Sequence, residues 1–375
     1  MRTGVLPVNS STGVQTETPL GGCKRSRRRS PPRVEPSGLG TGQLVVRAIG
    51  LAAAALALGL GCASAAVTTS EAEGASATPV AGVSPSSPLA AASSTALVWV
   101  AVEKADKVKL VDVGAREVLE RYRTPGGPHN ITVADDGTVA VCLWGSDRIG
   151  IVRDDRIRFV RLGGGPHDVK ATGRTFVVAN QRAARLDLVS VRGRKLGRVP
   201  LTTDPHDLAI NPPGGRAWVT LEGRDEMAVV DLDRRKVMKY VSTGQSPHDL
   251  LFAPDGRLWV TDWQGELHVF DGARRVKTIS LGVEAHHLAF TDDGRFAWIT
   301  DHGAKRVYVL SVRRVKVVRS LRFPGEPHHV AIAGRWAVVA DHGNARLVLY
   351  NAERKRRVGR IPVGAGPHGV WTAPA

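Results

Sequence analysis

From residue 97 to the C terminus, short apolar runs alternate with turns built from Gly, Asp and Asn, which is the pattern of β-strands. Residues 250–281 show the unit clearly. An apolar run at 250–253 leads through the hairpin signal Asp255-Gly256 to a second run at 258–261, and two further strands are predicted at 267–270 and 276–281. The unit recurs along the chain. Pro-His marks it at Pro128-His129, Pro166-His167, Pro205-His206, Pro247-His248, Pro327-His328 and Pro367-His368, and a seventh copy reads Ala285-His286. Successive histidines of this series lie 38, 39, 42, 38, 42 and 40 residues apart. Four strands in a period of about 40 residues make the blade of a β-propeller. Helical repeats of similar period are excluded by the Val, Ile, Trp and Thr content and by the Gly turns. The expectation is an all-β, seven-bladed β-propeller over residues 97–375. Residues 97–127 supply three strands before the first marker, while Gly369-Val370-Trp371-Thr372-Ala373 reads as a first strand only, so the C-terminal strand should complete the N-terminal blade. Trp99, Trp218, Trp259 and Trp298 fall at matching second-strand positions and are expected to pack between blades.

The first 96 residues have a different character. Residues 1–44 are rich in Ser, Thr, Pro, Gly and Arg without apolar periodicity, a composition that cannot bury a core. Residues 45–66 read as an export segment: Arg47, an apolar run over 48–60, then Gly-Cys-Ala-Ser around Cys62. Small residues before a lone cysteine resemble a bacterial lipoprotein signal, which implies lipidation at Cys62. The other reading is an uncleaved membrane helix, because the apolar stretch continues to Val67 and approaches the ~20 residues a span needs. Arg27-Arg28-Arg29 stands too far from that run to act as a twin-arginine signal. Residues 67–96 are an Ala/Ser/Pro linker. Both readings place the propeller outside the cytoplasm and hold it to the membrane by a lipid or a helix.

Charge adds a hint about partners. The chain carries 52 basic and 35 acidic residues, net +17, and residues 97–375 keep 44 against 31, net +13. Such a balance favours anionic polymers, nucleic acid among them. The basic stretches Arg192-Gly193-Arg194-Lys195, Arg313-Arg314-Val315-Lys316 and Arg354-Lys355-Arg356-Arg357 fall in or beside outer strands, where charge also blocks edge pairing. They lack the interleaved aromatic residues of a single-strand platform, so nucleic acid is not the favoured partner. Cys23, Cys62 and Cys142 are too scattered for a disulfide framework or a cysteine zinc site. Cys142 reads as a core residue. No nucleotide-binding loop or Ser-His-Asp spacing is present, and a closed propeller needs no second copy for stability, so a monomer is expected.

The candidate chemistry lies on one face. In a propeller the inter-blade loops, which here carry the histidines, share a face with the turns between strands two and three. Those turns carry Asp106, Asp147, Asp225, Asp262, Asp301 and Asp341, with Asn180 in the third repeat. Each blade should bring a histidine near a carboxylate, as in the structural His–Asp network of WD-repeat propellers. On that reading the ring of His129, His167, His206 and His368, with the other markers, is structural. Asymmetry is the better guide to a site. Six of the twelve histidines (His286, His287, His302, His328, His329 and His342) lie between residues 286 and 342, beside Glu284, Asp301, Glu326 and Asp341, and such mixed donors suit a divalent metal. Strict strand alternation would send His286 and His287 to opposite faces and favours His286 as the ligand-facing member. Trp263 takes a turn position on the same face and is expected to line a ligand mouth with Asp262, His328 and His342.

These repeats resemble the YVTN-type seven-bladed propellers, and the Glu284-Ala285-His286 phrase with Asp301-His302 resembles the site of the streptogramin B (virginiamycin B) lyases among them. By that resemblance Glu284 and Asp301 hold Mg2+ with His302 as an auxiliary group, His286 is the general base, and His248 binds substrate. The implied reaction is carbon–oxygen bond cleavage: metal-assisted removal of an α-proton, then β-elimination of the ester oxygen of a cyclic lactone. Asp at position 301 stands where that family has Glu, and Asp-His recurs at Asp341-His342. The leading expectation is therefore an exported, membrane-tethered ligand-binding or interaction propeller with a metal at its His-rich channel face. The lactone-opening lyase and a binder of anionic polymers such as DNA are the alternatives.

Overall fold

The structure is a computed structural model that describes residues 96–221 and 223–373. The segments expected to be an extension, an export signal with Cys62 and, but for its last residue, a linker lie outside the described residues.

Seven antiparallel four-stranded sheets form seven blades. The innermost strands are Pro128–Val133, Pro166–Thr172, Pro205–Ile210, Pro247–Phe252, Ala285–Phe290, Pro327–Ala333 and Pro367–Thr372, and each begins at a marker phrase. They open blades 2 to 7 in order, and the last belongs to blade 1. There, Pro367–Thr372 pairs with Leu97–Val102, setting Trp371 opposite Trp99 and Val370 opposite Val100. The C-terminal strand thus closes the ring on the N-terminal blade, as the strand count required.

The apolar residues of neighbouring blades pack face to face. Trp259 of blade 5 and Trp298 of blade 6 are fully buried, the first against Leu288 and Ile299, the second against Val330 and Val339 of blade 7. Trp99 and Trp218 occupy the same layer between blades 1 and 2 and between blades 4 and 5. All four tryptophans are core, as their matched positions implied. Cys142 lies in the layer between blades 2 and 3, where burial raises its thiol well above the usual range. Outermost strands such as Lys316–Arg322 and Arg356–Pro362 keep their charged positions exposed, in keeping with protection of the blade edges.

Every innermost strand carries a one-residue β-bulge at its marker. In blade 6, Ala285 pairs with Asp301 while Leu288 pairs with Ile299, so three steps on one strand face two on the other. The same slip occurs in the other six blades. In blades 4, 5 and 6 the N–H freed by the bulge donates to a second-strand hydroxyl: Asp207 to Thr220, Asp249 to Thr261, and His287 to Thr300, at 3.0, 3.3 and 3.1 Å. The Thr220 and Thr261 hydroxyls also reach the marker-histidine carbonyl of the next blade, His248 and His286 respectively. A buried hydroxyl thus takes the place of the lost ladder bond.

Candidate functional site

The seven marker histidines form a closed ring of imidazoles around the channel. Neighbouring ring centroids are 4.3 Å apart for His129 and His167, then 4.1, 4.5, 4.1, 4.4 and 4.1 Å through His206, His248, His286, His328 and His368, and 3.7 Å back to His129. Burial, then the charge of neighbouring imidazoles, lowers the pKa of His129, His248, His286, His328 and His368 well below the ordinary histidine value. These rings are neutral near pH 7. The buried Nδ1 atoms of His129, His248, His286, His328 and His368 make no hydrogen bond to protein among the described residues. Lone pairs of a neutral imidazole held this way are donors for a metal.

The bulge adds a second layer, because it turns the residue after each marker histidine into the channel as well. Those residues are Asn130, Asp168, Asp207, Asp249, His287, His329 and Gly369. The expectation that His286 and His287 face opposite sides is corrected here: their ring centroids are 4.4 Å apart. Alternation fails where the bulge inserts its extra residue. Gly369 is required by crowding, since a Cβ there would approach the His129 carbonyl to 2.4 Å.

Unlike the ring above it, this layer is lopsided. Asp168 accepts two bonds from the Lys170 ammonium, at 2.6 and 2.7 Å, one from the Leu208 N–H and one from the Asn130 amide. Asp207 accepts from Asn130 at 3.0 Å and lies 3.3 Å from His206 Nδ1. Although burial opposes its charge, His206, His167 and His248 hold its pKa well below the carboxylate range. Asp249 behaves oppositely: burial and the charge of Asp207 raise its pKa well above that range. His287 Nδ1 lies 3.3 Å from Asp249 Oδ2, and the His287 ring stacks on His329. Three buried carboxylates against one ammonium leave a net charge of −2 if all are ionised.

Donor atoms of His248, His286 and His287 lie within 4.8 Å of one another, as do those of His287, His328 and His329, and those of Asp207, Asp249 and His287. His287 belongs to all three groups. A fourth channel group joins His167, His206 and Asp207. Asp207 and Asp249 were not singled out from the sequence, and His287 was counted among the clustered histidines but set aside in favour of His286. Their signal is the position after each marker, where Pro-His-Asp appears three times and gives way to His in blades 6 and 7.

The other predicted residues stand at the mouth or in the turns. The Trp263 ring packs 4.4 Å from His248 and 5.1 Å from His286. His302 sits 5.7 Å from His286 between ring centroids and places Nδ1 3.5 Å from Glu284 Oε2. His342 Nε2 is 3.3 Å from Glu103. Asp301 is fully buried and accepts from the N–H groups of Val283, Glu284 and Ala304. Asp106, Asp147, Asp225 and Asp341 likewise accept from the N–H groups of Gly127, Gly165, Ser246 and Glu326 in the inter-blade loops. The turn aspartates therefore brace the loop backbone that presents the histidines, where a His–Asp side-chain bond was expected. Asp262 departs from this use: it accepts from Gln264 and Glu266 N–H and from His268 Nε2 at 2.8 Å, while His268 Nδ1 accepts from Thr278 at 3.0 Å.

A seven-bladed propeller with a His-lined channel is the class defined by this geometry. The chain belongs to the YNCE-like beta-propeller family, whose model matches residues 168–375. No curated protein matches it in sequence. Among solved structures it resembles the Kuenenia stuttgartiensis hydrazine synthase with 18% identity, 68% of this chain and 92% of that chain covered, and a TM-score of 0.61. It resembles virginiamycin B lyase from Staphylococcus aureus with 15% identity, 66% and 91% coverage, and a TM-score of 0.59. AztD from Citrobacter koseri gives 12% identity, 74% and 97% coverage, and a TM-score of 0.55. At these identities the likeness is one of fold.

Proposed function

We propose that this chain is an exported, membrane-tethered propeller that binds a divalent transition-metal ion inside its channel. The observation that supports this most is the convergence of neutral, unpaired imidazoles on His287 beside Asp249 and Asp207. Imidazole with carboxylate suits Zn2+ or Cu2+ better than Mg2+, which prefers oxygen donors and retained water. Charge supports the same reading, because a dication would offset the −2 carried by the three buried carboxylates and the ammonium when all are ionised. Glu284 and His302 stand outside this cluster at the mouth, where they suit a gate or a second contact for the incoming ligand.

The lyase reading keeps one supporting feature, the grouping of Glu284, His286, His302, His248 and Trp263 at that mouth. Isothermal titration of the full chain with Zn2+, Cu2+ and Mg2+, followed by incubation of each loaded form with a cyclic depsipeptide lactone, separates the two. One tightly bound Zn2+ or Cu2+ per chain with the lactone intact supports the binding protein. Binding of Mg2+ alone, with ring opening, would replace that reading by the lyase. No binding of any of the three ions would overturn both.

A further inference from the structure

The face opposite the histidines carries the hairpin turns between strands three and four, and two of its inter-blade clefts are rich in arginine. The cleft between blades 6 and 7 has a volume of about 780 Å³. It is lined by Arg295, Arg313, Arg314, Arg319, Arg354 and Lys355, with Glu353 as its one acidic lining residue. Arg295 is paired with Asp293 at 2.6 Å. Among the described residues, Arg313, Arg314, Arg319, Arg354 and Lys355 form no salt bridge. The Lys355 ammonium instead lies 3.7 Å from the Phe296 ring centroid. Burial, then the charge of Arg295, lowers its pKa, and the nearby Glu353 and Asp293 offset this only in part.

A second cleft, between blades 2 and 3, repeats the architecture with four cations in place of six around one acidic lining residue. It is lined by Arg153, Arg156, Arg158 and Arg192, but Asp154 lies in its wall and Arg153 pairs with Asp136 and Asp154 at 3.4 Å each. Edge protection alone would explain either cleft. It does not explain why cations converge around one concave space in blades 6 and 7 with almost no acid among them.

We infer that the cleft between blades 6 and 7 is a binding site for a multiply charged phosphate group, held by the guanidinium groups of Arg313, Arg314, Arg319 and Arg354 with the Lys355 ammonium behind them. Planar guanidinium forks match phosphate oxygens bidentately, and several at one cleft favour a ligand with more than one phosphate charge. The site lies apart from the channel and does not depend on the metal reading.

The test uses the full chain at low salt with two probes, sodium tripolyphosphate in solution and vesicles of phosphatidylglycerol, against phosphatidylcholine vesicles. Two charge-matched variants are compared, Arg313→Gln with Arg354→Gln, and Arg156→Gln with Arg192→Gln, each required to melt at the wild-type temperature. The inference predicts that the first pair weakens binding at least tenfold and the second does not. If tripolyphosphate shows this pattern the ligand is a soluble phosphate; if only phosphatidylglycerol vesicles show it, the ligand is a lipid headgroup. Absence of binding to both probes, or equal weakening by both pairs, would overturn the inference and leave a basic surface without a site.

Discussion

His286 and His287 are adjacent in sequence, yet both imidazoles turn into the same channel with centroids 4.4 Å apart. A regular strand forbids this, and the bulge between Ala285 and Leu288 permits it. The Thr300 hydroxyl holds the bulge, accepting from the His287 N–H and donating to the His287 carbonyl. Replacing Thr300 by Val keeps the volume but leaves both backbone groups buried and unpaired, a loss of about 1–3 kcal/mol. Chemical denaturation should show that loss, together with weaker metal binding as His287 drifts. A variant of wild-type stability and affinity would mean that the bulge is fixed without the hydroxyl.

Lys170 and Asp168 make a buried pair deep in the channel. Lys170→Met is expected to destabilise the protein by about 3–5 kcal/mol because it strands a buried carboxylate. Adding Asp168→Asn should restore much of that, so the double variant is more stable than the single one. Additive losses in urea denaturation would contradict the pairing.

Acid should destabilise the metal-free protein. His129 and His368 have folded pKa values lowered by burial, so as pH falls below about 6.5 the unfolded chain takes up protons that the folded ring refuses. Their contribution is fully present above that value and is lost at up to about 1.4 kcal/mol per pH unit for each ring that stays neutral. Melting in chelator at pH 8 and pH 5 should give the lower temperature at pH 5. An unchanged or higher value there would show that the ring is protonated in the folded state.

Ring closure rests on the last strand. Val370 is 2% exposed and pairs with Val100, so Val370→Asp should cost about 3 kcal/mol or more, while Leu119→Asp on the exposed outer strand of blade 1 should change stability by no more than about 0.5 kcal/mol. Thermal melts of the two variants check this. Equal effects would show that the ring does not depend on the closing strand.

The repeat made the fold legible. Seven marker phrases at near-constant spacing set the blade count, and the missing partner for residues 97–127 set the closure. Their matching second-strand positions also placed the four tryptophans in the core, since second strands are regular. The channel was only half legible, because the bulge breaks that alternation at the marker histidines and hides the second inward layer. Asp207 and Asp249 therefore stayed unmarked and His287 was passed over for His286, although the residue after each marker recorded the asymmetry. The turn aspartates misled for a different reason. A carboxylate near a histidine in sequence pattern says nothing of whether it will bond the ring or the loop amides, and here the amides take it.

The proposed metal is held by His287 in the channel and not by Glu284 and Asp301. Elemental analysis of the full chain, purified without a histidine tag and equilibrated with Zn2+ or Cu2+, tests it directly when run beside His287→Ala and Glu284→Gln. Close to one metal ion per chain is expected in the wild type and in Glu284→Gln, with its loss in a folded His287→Ala. Retention by His287→Ala, or loss in Glu284→Gln, would contradict it.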